Sequence, residues 1–285
     1  MNIQMMRPPG PNERRTPAQL WEQYEIEKEI AAKLRAASKE DRKTLYSKCY
    51  EELFQRVPHH SQLTFKASEA DRARRVALQL GMLEPFLTPK TTFLEIGAGD
   101  CALSFGIADR VKKVYALDVS NEITRTQSVP ANFELVLSDG TSIPVPPASI
   151  DVAYSNQLME HLHPDDALQQ LTNIYEALSP GGVYICLTPS RLTGPHDISG
   201  YFEKVATGLH LKEYTLQELV DIFHQVGFSS IRQCFRKGNT YVRVPSAVAR
   251  GLERSYERLP AKLRSRTARN GIVRGFLEIR MIARK

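Results

Sequence analysis

The sequence predicts a three-layer α/β fold, doubly wound, in which helices cover both faces of a mostly parallel sheet. From residue 92 onward, apolar strand patterns alternate with amphipathic helix patterns, and the first of these strands runs into a glycine-rich turn. Three further helix patterns precede that strand. At 285 residues and 42% hydrophobic composition, the chain can supply a full core. We therefore expect a sheet-centred domain behind a helical layer.

The segment before the sheet divides into two parts. Residues 1–15 are rich in Pro, Arg and Asn, and we predict that they are mobile. Residues 16–90 contain three helix starts, at Thr16 with Gln19 as a capping box, at Ser38 and at Ser68. We interpret these helices as a lid over a ligand site of the sheet, on the side where a substrate would enter. A layer that only packs against the sheet is the alternative.

The strands and helices of the sheet region follow in order within residues 91–285. Capping residues Thr215 and Glu218 open a predicted helix that ends at Gly227. The predicted strands are 92–96, 113–118, 133–138, 150–155, 183–188, 230–235 and an alternating segment from residue 276, and the other predicted helices are 100–111 and 164–178.

Two insertions interrupt this alternation. Residues 189–213 form a loop after the fifth strand, and loops longer than about 12 to 15 residues in a compact domain tend to be functional. We expect this loop to form the acceptor pocket. Residues 244–270 are basic, and their leucines predict an amphipathic helix pair that covers one edge of the sheet.

The glycine turn after the first strand predicts a ligand site, and its carboxylates indicate which ligand. Gly97, Gly99 and Ala102 satisfy the loose dinucleotide fingerprint, so an oxidoreductase that uses a dinucleotide is one alternative. A pyrophosphate would sit on the following helix N-terminus, where Asp100 places like charge. Glu95 and Asp100 instead favour a ligand with a cationic centre and no phosphate. S-adenosylmethionine, with its sulfonium and ammonium groups, is such a ligand.

Five motifs in this order carry a family resemblance. They are E-I-G-A-G-D at 95–100, Asp118 nineteen residues beyond Gly99, S-D-G at 138–140, D-V-A-Y-S-N with M-E-H-L within 151–162, and L-S-P-G-G at 178–182. Together they resemble class I S-adenosylmethionine-dependent methyltransferases of the methyltransferase type 11 group, in its small-molecule, ubiquinone-biosynthesis-like branch. The resemblance covers roughly residues 83–227 and the closing strand.

The resemblance implies a fold, a cofactor and a set of cofactor-binding residues. The fold is a Rossmann-like seven-stranded sheet whose last strand is antiparallel and lies beside the sixth. The cofactor is S-adenosylmethionine, with S-adenosylhomocysteine as product. Asp118 would bind the ribose hydroxyls and Asp139 the adenine amino group. The implied cofactor-binding residues are Glu95, Gly97, Ala98, Gly99, Asp100, Asp118, Val119, Asp139, Gly140, Asn156 and Gln157.

The predicted reaction is methyl transfer to an O or N atom of a small molecule, with anionic, glycan and lipid-linked acceptors as candidates. The donor is already activated, so the protein mainly positions the reactants and helps to deprotonate the acceptor. His196, in the loop after the fifth strand, is the favoured catalytic histidine, and His161 is the second. Aromatic groups of the acceptor side are expected from Tyr24, Tyr46 and Tyr50.

The charge of the chain is unevenly distributed. Residues 243–285 hold twelve Lys or Arg against three acidic residues, within a net charge of +6. A nucleic-acid methyltransferase is therefore another alternative. Enzymes that methylate base amino groups usually show an Asn or Asp, two prolines and an aromatic after the fourth strand. Here residues 155–158 read S-N-Q-L, and we expect no nucleic-acid partner. A binding protein that has lost turnover is a further alternative.

Composition limits the remaining possibilities. The four cysteines are dispersed without a C-x-x-C pair, which argues against disulfides and a cysteine-ligated zinc site, and we predict no metal. No apolar run approaches the roughly 18 residues of a membrane span, and residues 1–11 lack the apolar core of a signal peptide. We expect a cytoplasmic protein. Its oligomeric state stays open, with a homodimer as one option.

Overall fold

Eight strands form one mixed sheet in the computed structural model, which describes residues 3–64, 68–119, 129–238, 240–268 and 270–285. The strand order is β3-β2-β1-β4-β5-β8-β6-β7. The strands are β1 Thr92–Ile96, β2 Lys113–Asp118, β3 Phe133–Leu137, β4 Ile150–Asn156, β5 Leu178–Thr188, β6 Ser230–Lys237, β7 Thr240–Pro245 and β8 Ile279–Arg284.

The pairing of the strands confirms the predicted sheet architecture. Strands β1 to β5 pair in parallel, and β8 lies between β5 and β6, antiparallel to both. The eighth strand is β7, which pairs antiparallel with β6 at the sheet edge and was not predicted. The last strand begins at Ile279 rather than at residue 276, because residues 276 and 277 end a helix.

Helices cover both faces of the sheet and form the N-terminal layer. Two separate apolar clusters lie on the sheet, one with α1, α2, α6 and α7 side chains and one with α4 and α5 side chains. The helices are α1 Pro17–Ala36, α2 Lys39–Arg56, α3 Ser61–Thr64, α4 Glu69–Leu83, α5 Ala102–Ile107, α6 Pro164–Ala177, α7 Leu216–Val226, α8 Ser246–Glu257, α9 Ala261–Thr267 and α10 Gly271–Leu277.

The predicted helix starts are confirmed by their caps. Thr16 and Gln19 form the capping box of α1, and Thr215 with Glu218 forms that of α7. The side chain of Ser38 accepts a hydrogen bond from the backbone of α2, and that of Ser68 does so for α4. These short polar side chains satisfy amide groups that have no partner within the helix.

The N-terminal layer is anchored by a buried ion pair. Arg42 of α2 binds both carboxylate oxygens of Asp166 in α6, at 2.5 and 2.9 Å, and both side chains are at most 4% exposed. Before α1, the backbone amide of Met6 donates to the carbonyl oxygen of Tyr201, 2.8 Å away. Residues 3–15 thus pack against the loop after β5, while their mobility and the lid role of α1 to α4 stay predictions.

The C-terminal insertion differs in part from its expected form. Residues 240–245 form β7, which was not predicted, and α8 and α9 form the predicted helix pair within residues 244–270. Helix α8 packs on α7, β6 and β7. Leu252 and Leu263 are each 43% exposed, so these leucines do not cover the sheet edge as expected.

Candidate active site

The carboxyl ends of β1 to β4 meet at one edge of the sheet, and predicted site residues follow each of these strands. Gly97 follows β1, Asp118 ends β2, Asp139 comes two residues after β3, and Asn156 ends β4. Crevices beyond the carboxyl ends of parallel strands are the usual ligand sites of such sheets. The structure therefore gathers residues from four separate segments at this edge.

The glycine loop after β1 leaves open space beside a carboxylate. Gly97 and Gly99 have φ angles of +71° and +51°, which favour glycine. A Cβ on Gly97 would lie 3.1 Å from Cδ1 of Leu158, whereas a Cβ on Gly99 would meet no atom within 4 Å. The amide of Gly99 donates to Oδ2 of Asp118 at 2.8 Å, and the amide of Val119 donates to Oδ1 at 2.8 Å. A ligand can thus approach the loop backbone where the Asp118 carboxylate is held.

Glu95 binds the helix behind the loop. Its Oε2 accepts hydrogen bonds from the amide and the hydroxyl of Ser104 in α5, at 3.0 and 2.6 Å. Burial raises the pKa of Glu95 to about 8. The observed contacts of this carboxylate thus position α5, and direct contact with a cofactor stays a prediction.

Asp100 is exposed and has a cationic neighbour that the sequence did not indicate. Its Oδ2 lies 3.8 Å from Nε of Arg72 in α4, and its Oδ1 accepts from the amide of Ala102 at 3.2 Å. Helix α4 therefore places a positive charge beside the loop.

The loop after β3 is held by its own aspartate. Oδ1 of Asp139 accepts from the amides of Thr141 and Ser142, at 2.9 and 2.7 Å. Burial alone would raise the pKa of Asp139, but these hydrogen bonds outweigh it and the pKa is lowered. Asp139 is thus ionised near neutral pH and positioned before any ligand binds.

Gly140, in the loop after β3, lies next to helix α2 of the N-terminal layer. Its φ is +93°, and an added Cβ would lie 2.8 Å from Cδ2 of Tyr46 in α2. Its carbonyl oxygen accepts from Nε2 of Gln170 at 2.7 Å. Both the backbone conformation and the aromatic ring therefore require glycine here.

The segment after β4 turns sharply. Gln157 is exposed with a φ of +55°, and its amide donates to the carbonyl oxygen of Leu187 at 2.9 Å. Asn156 is half-buried at the end of β4. The next residues form a 3-10 helix, Met159–His161, which places a glutamate and a histidine behind the loop.

The two predicted catalytic histidines have different environments. Nδ1 of His196 lies 3.4 Å from Oε2 of Glu213, and its Nε2 lies 3.1 Å from Oγ1 of Thr193. Nδ1 of His161 lies 3.1 Å from the carbonyl oxygen of Leu209. Burial, with a smaller effect of the charge on His210, lowers the pKa of His161 to about 3. His161 is therefore neutral near pH 7.

His210 joins these two histidines into one cluster. Its ring is 4.8 Å from the ring of His161, and its Nδ1 lies 2.8 Å from Oε1 of Glu213. Burial would raise the pKa of Glu213, but hydrogen bonds from His196 and His210 outweigh it and the pKa falls to about 2. Glu213 was not among the predicted site residues, although the H-x-x-E spacing of residues 210–213 is a sequence signal for this pair.

The three predicted tyrosines divide between structural and site positions. The hydroxyl of Tyr24 donates to Glu203 at 3.2 Å, and that of Tyr46 donates to Asp166 at 2.7 Å. Tyr50 is half-buried, with its ring 6.3 Å from that of His161. Among these tyrosines, Tyr50 is thus the one beside the histidine cluster.

These features describe an α/β protein with an open glycine loop beside a carboxylate at the carboxyl edge of its parallel strands. Residues 94–186 match the model of a family described as Methyltransferase domain. A probable S-adenosylmethionine-dependent methyltransferase of Mycolicibacterium smegmatis is 28% identical over 136 residues, which cover 47% of this chain and 51% of the relative. An uncharacterized methyltransferase of Geobacillus kaustophilus is 27% identical over 173 residues, 54% of this chain and 75% of that protein.

Solved structures show the same fold at low identity. A phosphoethanolamine N-methyltransferase 1 of Haemonchus contortus, solved with phosphoethanolamine and S-adenosylhomocysteine, has a TM-score of 0.55 and 12% identity, over 87% of this chain and 50% of the other. A SAM-dependent methyltransferase of Archaeoglobus fulgidus has a TM-score of 0.50 and 16% identity, over 74% of this chain and 94% of the other.

Residues 94–186 therefore match a methyltransferase domain, and the similarity to S-adenosylmethionine-dependent enzymes indicates S-adenosylmethionine as the cofactor of that domain. The chain spans about half the length of the Mycolicibacterium relative that it matches. Among the described residues, no helix has the length and apolar composition that crossing a membrane requires.

Proposed function

We propose that the protein transfers the methyl group of S-adenosylmethionine to an O or N atom of a small-molecule acceptor. The observation that carries this proposal is the proximity of the glycine loop to a histidine–carboxylate pair. Leu158 lies where a Cβ on Gly97 would point, and His161, three residues later, packs against His210. His210 and His196 both contact Glu213. The cofactor supplies an activated methyl group. The residues of this chain position the reactants and accept the proton.

His196 is the residue that we propose as the general base. Glu213 fixes its backbone amide at 2.7 Å and lies beside its Nδ1, so the imidazole is oriented by a carboxylate that stays ionised. His161 is poorly suited to this role, because a base works best with a pKa near the working pH and its own pKa is about 3.

We propose an anionic acceptor, with lipid-linked and glycan-linked compounds as the classes to test. The basic segment supports this, since α10 packs against the 3-10 helix Arg191–Thr193 of the same loop that holds His196. The ubiquinone-biosynthesis-like branch stays a hypothesis supported only by the motifs after β1 to β4.

Calorimetric titration and a transfer assay test this function together. S-adenosylhomocysteine should bind and NADH should not; binding of NADH alone would overturn the proposal. Transfer of labelled methyl groups is then measured on phenols, amines, glycans, lipid extracts and RNA. Label in RNA alone would favour the nucleic-acid alternative, and binding without transfer to any acceptor would favour a binding protein.

The role of His196 is tested by comparison with a histidine outside the site. His196→Ala should lower kcat by about 100-fold or more, the usual contribution of a general base. His224→Ala, on α7 with its ring near the carbonyl oxygen of Phe228, should leave kcat unchanged. Equal effects of the two substitutions would remove His196 from the mechanism.

A further inference from the structure

A cluster of one carboxylate and two imidazoles lies behind the glycine loop. Glu160 and His161 end the 3-10 helix after β4, and His210 comes from the loop between β5 and α7. One potential ligand atom from each of these residues lies within 4.8 Å of those of the other two. Such distances are compatible with ligation of one metal ion by all three side chains, of which His210 is distant in sequence from the other two.

The carboxylate of Glu160 is incompletely satisfied. The side chain is fully buried, and its Oε2 accepts one hydrogen bond from the hydroxyl of Thr188 at 2.9 Å. Its Oε1 has no hydrogen-bond partner among the residues that the structure describes. A buried polar atom without a partner costs free energy, and a bound cation is one way to offset that cost.

Both imidazoles are oriented as metal ligands usually are. Nδ1 of His161 faces the carbonyl oxygen of Leu209 at 3.1 Å, and Nδ1 of His210 faces Oε1 of Glu213 at 2.8 Å. With Nδ1 held by an acceptor, Nε2 is the nitrogen left for a ligand. Metal-ligating histidines commonly use their second nitrogen in this way, to a carbonyl or carboxylate, which fixes the ring and its tautomer.

We propose that Glu160, His161 and His210 bind a divalent transition-metal ion. Two imidazoles and one carboxylate suit ions such as Zn²⁺, Mn²⁺ or Co²⁺ better than Mg²⁺ or Ca²⁺, which prefer oxygen ligands. Three protein ligands leave a coordination position for water or for an oxygen of the acceptor. The dispersed cysteines predicted no metal site, but the ligands proposed here are a carboxylate and two imidazoles.

Metal binding to the full chain tests this proposal directly. The purified protein is treated with a chelator, desalted and titrated with Co²⁺, Zn²⁺ and Mn²⁺ by calorimetry, with the visible absorption of Co²⁺ as a second readout. We expect one metal ion to bind per protein chain. If none of the three ions binds stoichiometrically to protein that still binds S-adenosylhomocysteine, the metal site is refuted. The methyltransferase assignment would then remain intact.

Matched variants locate the ion. His210→Gln and the isosteric Glu160→Gln should each weaken Co²⁺ binding at least about 100-fold, beyond the loss typical of changes outside the ligand set. Glu213→Gln, which changes the hydrogen-bond partner of His210 but none of the three ligands, should weaken it by about 10- to 100-fold. His224→Gln is the control and should bind as the unchanged protein does. Retained affinity in both His210→Gln and Glu160→Gln would place the ion elsewhere and refute the site.

Discussion

Asp118 is the residue on which cofactor affinity should depend most directly. It lies where β2 ends, and its carboxylate is already held by the amides of Gly99 and Val119. Hydrogen bonds to a charged group contribute more than neutral ones, so Asp118→Ala should weaken S-adenosylhomocysteine binding by about 1 to 3 kcal/mol. Calorimetry measures the loss, with circular dichroism as the check on folding. Unchanged affinity would place the ribose contact on another residue.

Glu95 should make stability depend on pH. Its pKa is about 8 in the folded protein against 4.5 for an unperturbed glutamate, so the folded state retains a proton that the unfolded state releases between these values. The contribution of Glu95 to the free energy of unfolding is therefore fully present below about pH 4.5. It decreases as pH rises toward 8, by at most about 1.4 kcal/mol per pH unit.

The substitution Glu95→Gln should flatten this dependence. The amide oxygen can still accept from Ser104, and no charge forms in the buried position. Urea denaturation at several pH values between 5 and 8 measures the slope. Glu84→Gln is the control, because that side chain is 71% exposed. A slope unchanged by Glu95→Gln would show that this carboxyl does not titrate differently in the folded state.

At the scale of elements, the contact between α2 and α6 should carry much of the stability of the N-terminal layer. Asp166→Asn leaves Arg42 buried without its counter-charge, and breaking a buried pair in this way typically costs about 3 to 5 kcal/mol. Denaturant titration measures the difference.

Asp165→Asn is a matched control for that prediction. Asp165 is in the same first turn of α6 but is 75% exposed, so its loss should cost mainly the interaction with the helix dipole, about 0.3 to 1 kcal/mol, together with a contact to His163 at 3.6 Å. Equal destabilisation by the two substitutions would mean that the Arg42 pair contributes little.

The elements that the sequence predicted well are those with local signals. The starts of three helices could be predicted from the N-cap residues Thr16, Ser38 and Ser68, because a cap bonds to a backbone amide within three residues. Strand β7 was missed because its pairing partner, β6, determines that residues 240–245 extend the sheet. Register and edge position depend on such partners rather than on the strand itself.

The site shows the same division between local and long-range signals. Gly97 follows β1 and Asp118 ends β2, so their common position at the sheet edge could be predicted. The cluster of Glu160, His161 and His210 could not, because it depends on how the loop after β5 folds back onto the 3-10 helix after β4. The contact of Tyr46 with Gly140 likewise arises from packing between α2 and a distant loop.

Considered as a whole, the molecule places basic and apolar groups together in its C-terminal helices. Ile272 of α10 is 83% exposed, and Leu252 of α8 and Leu263 of α9 are each 43% exposed. Helices α8 and α9 also carry arginines. Exposed apolar side chains among cationic ones are typical of helices that lie on anionic lipid surfaces. If the acceptor is lipid-linked, this region should bind phosphatidylserine vesicles more strongly than phosphatidylcholine vesicles.

Neutralising the basic helices tests that expectation. Basic residues near an anionic bilayer contribute about 1 kcal/mol each, so replacing Arg254, Arg258, Arg264 and Arg266 by Gln should reduce vesicle binding by about three orders of magnitude. Cosedimentation measures the partition. The control replaces four exposed lysines elsewhere: Lys39, Lys48, Lys90 and Lys112. Equal losses would indicate general charge attraction, and no loss would remove the argument for a lipid-linked acceptor.

The insertion of β8 between β5 and β6 also affects how the protein is made. Its register pairs Val183 with Arg284, about a hundred residues later in the chain. At about 5 to 20 residues per second, a ribosome needs roughly 5 to 20 s to add those residues, and β5 keeps an unpaired edge throughout. An open strand edge can pair with other chains. The nascent protein is therefore most exposed to aggregation between synthesis of β5 and synthesis of β8.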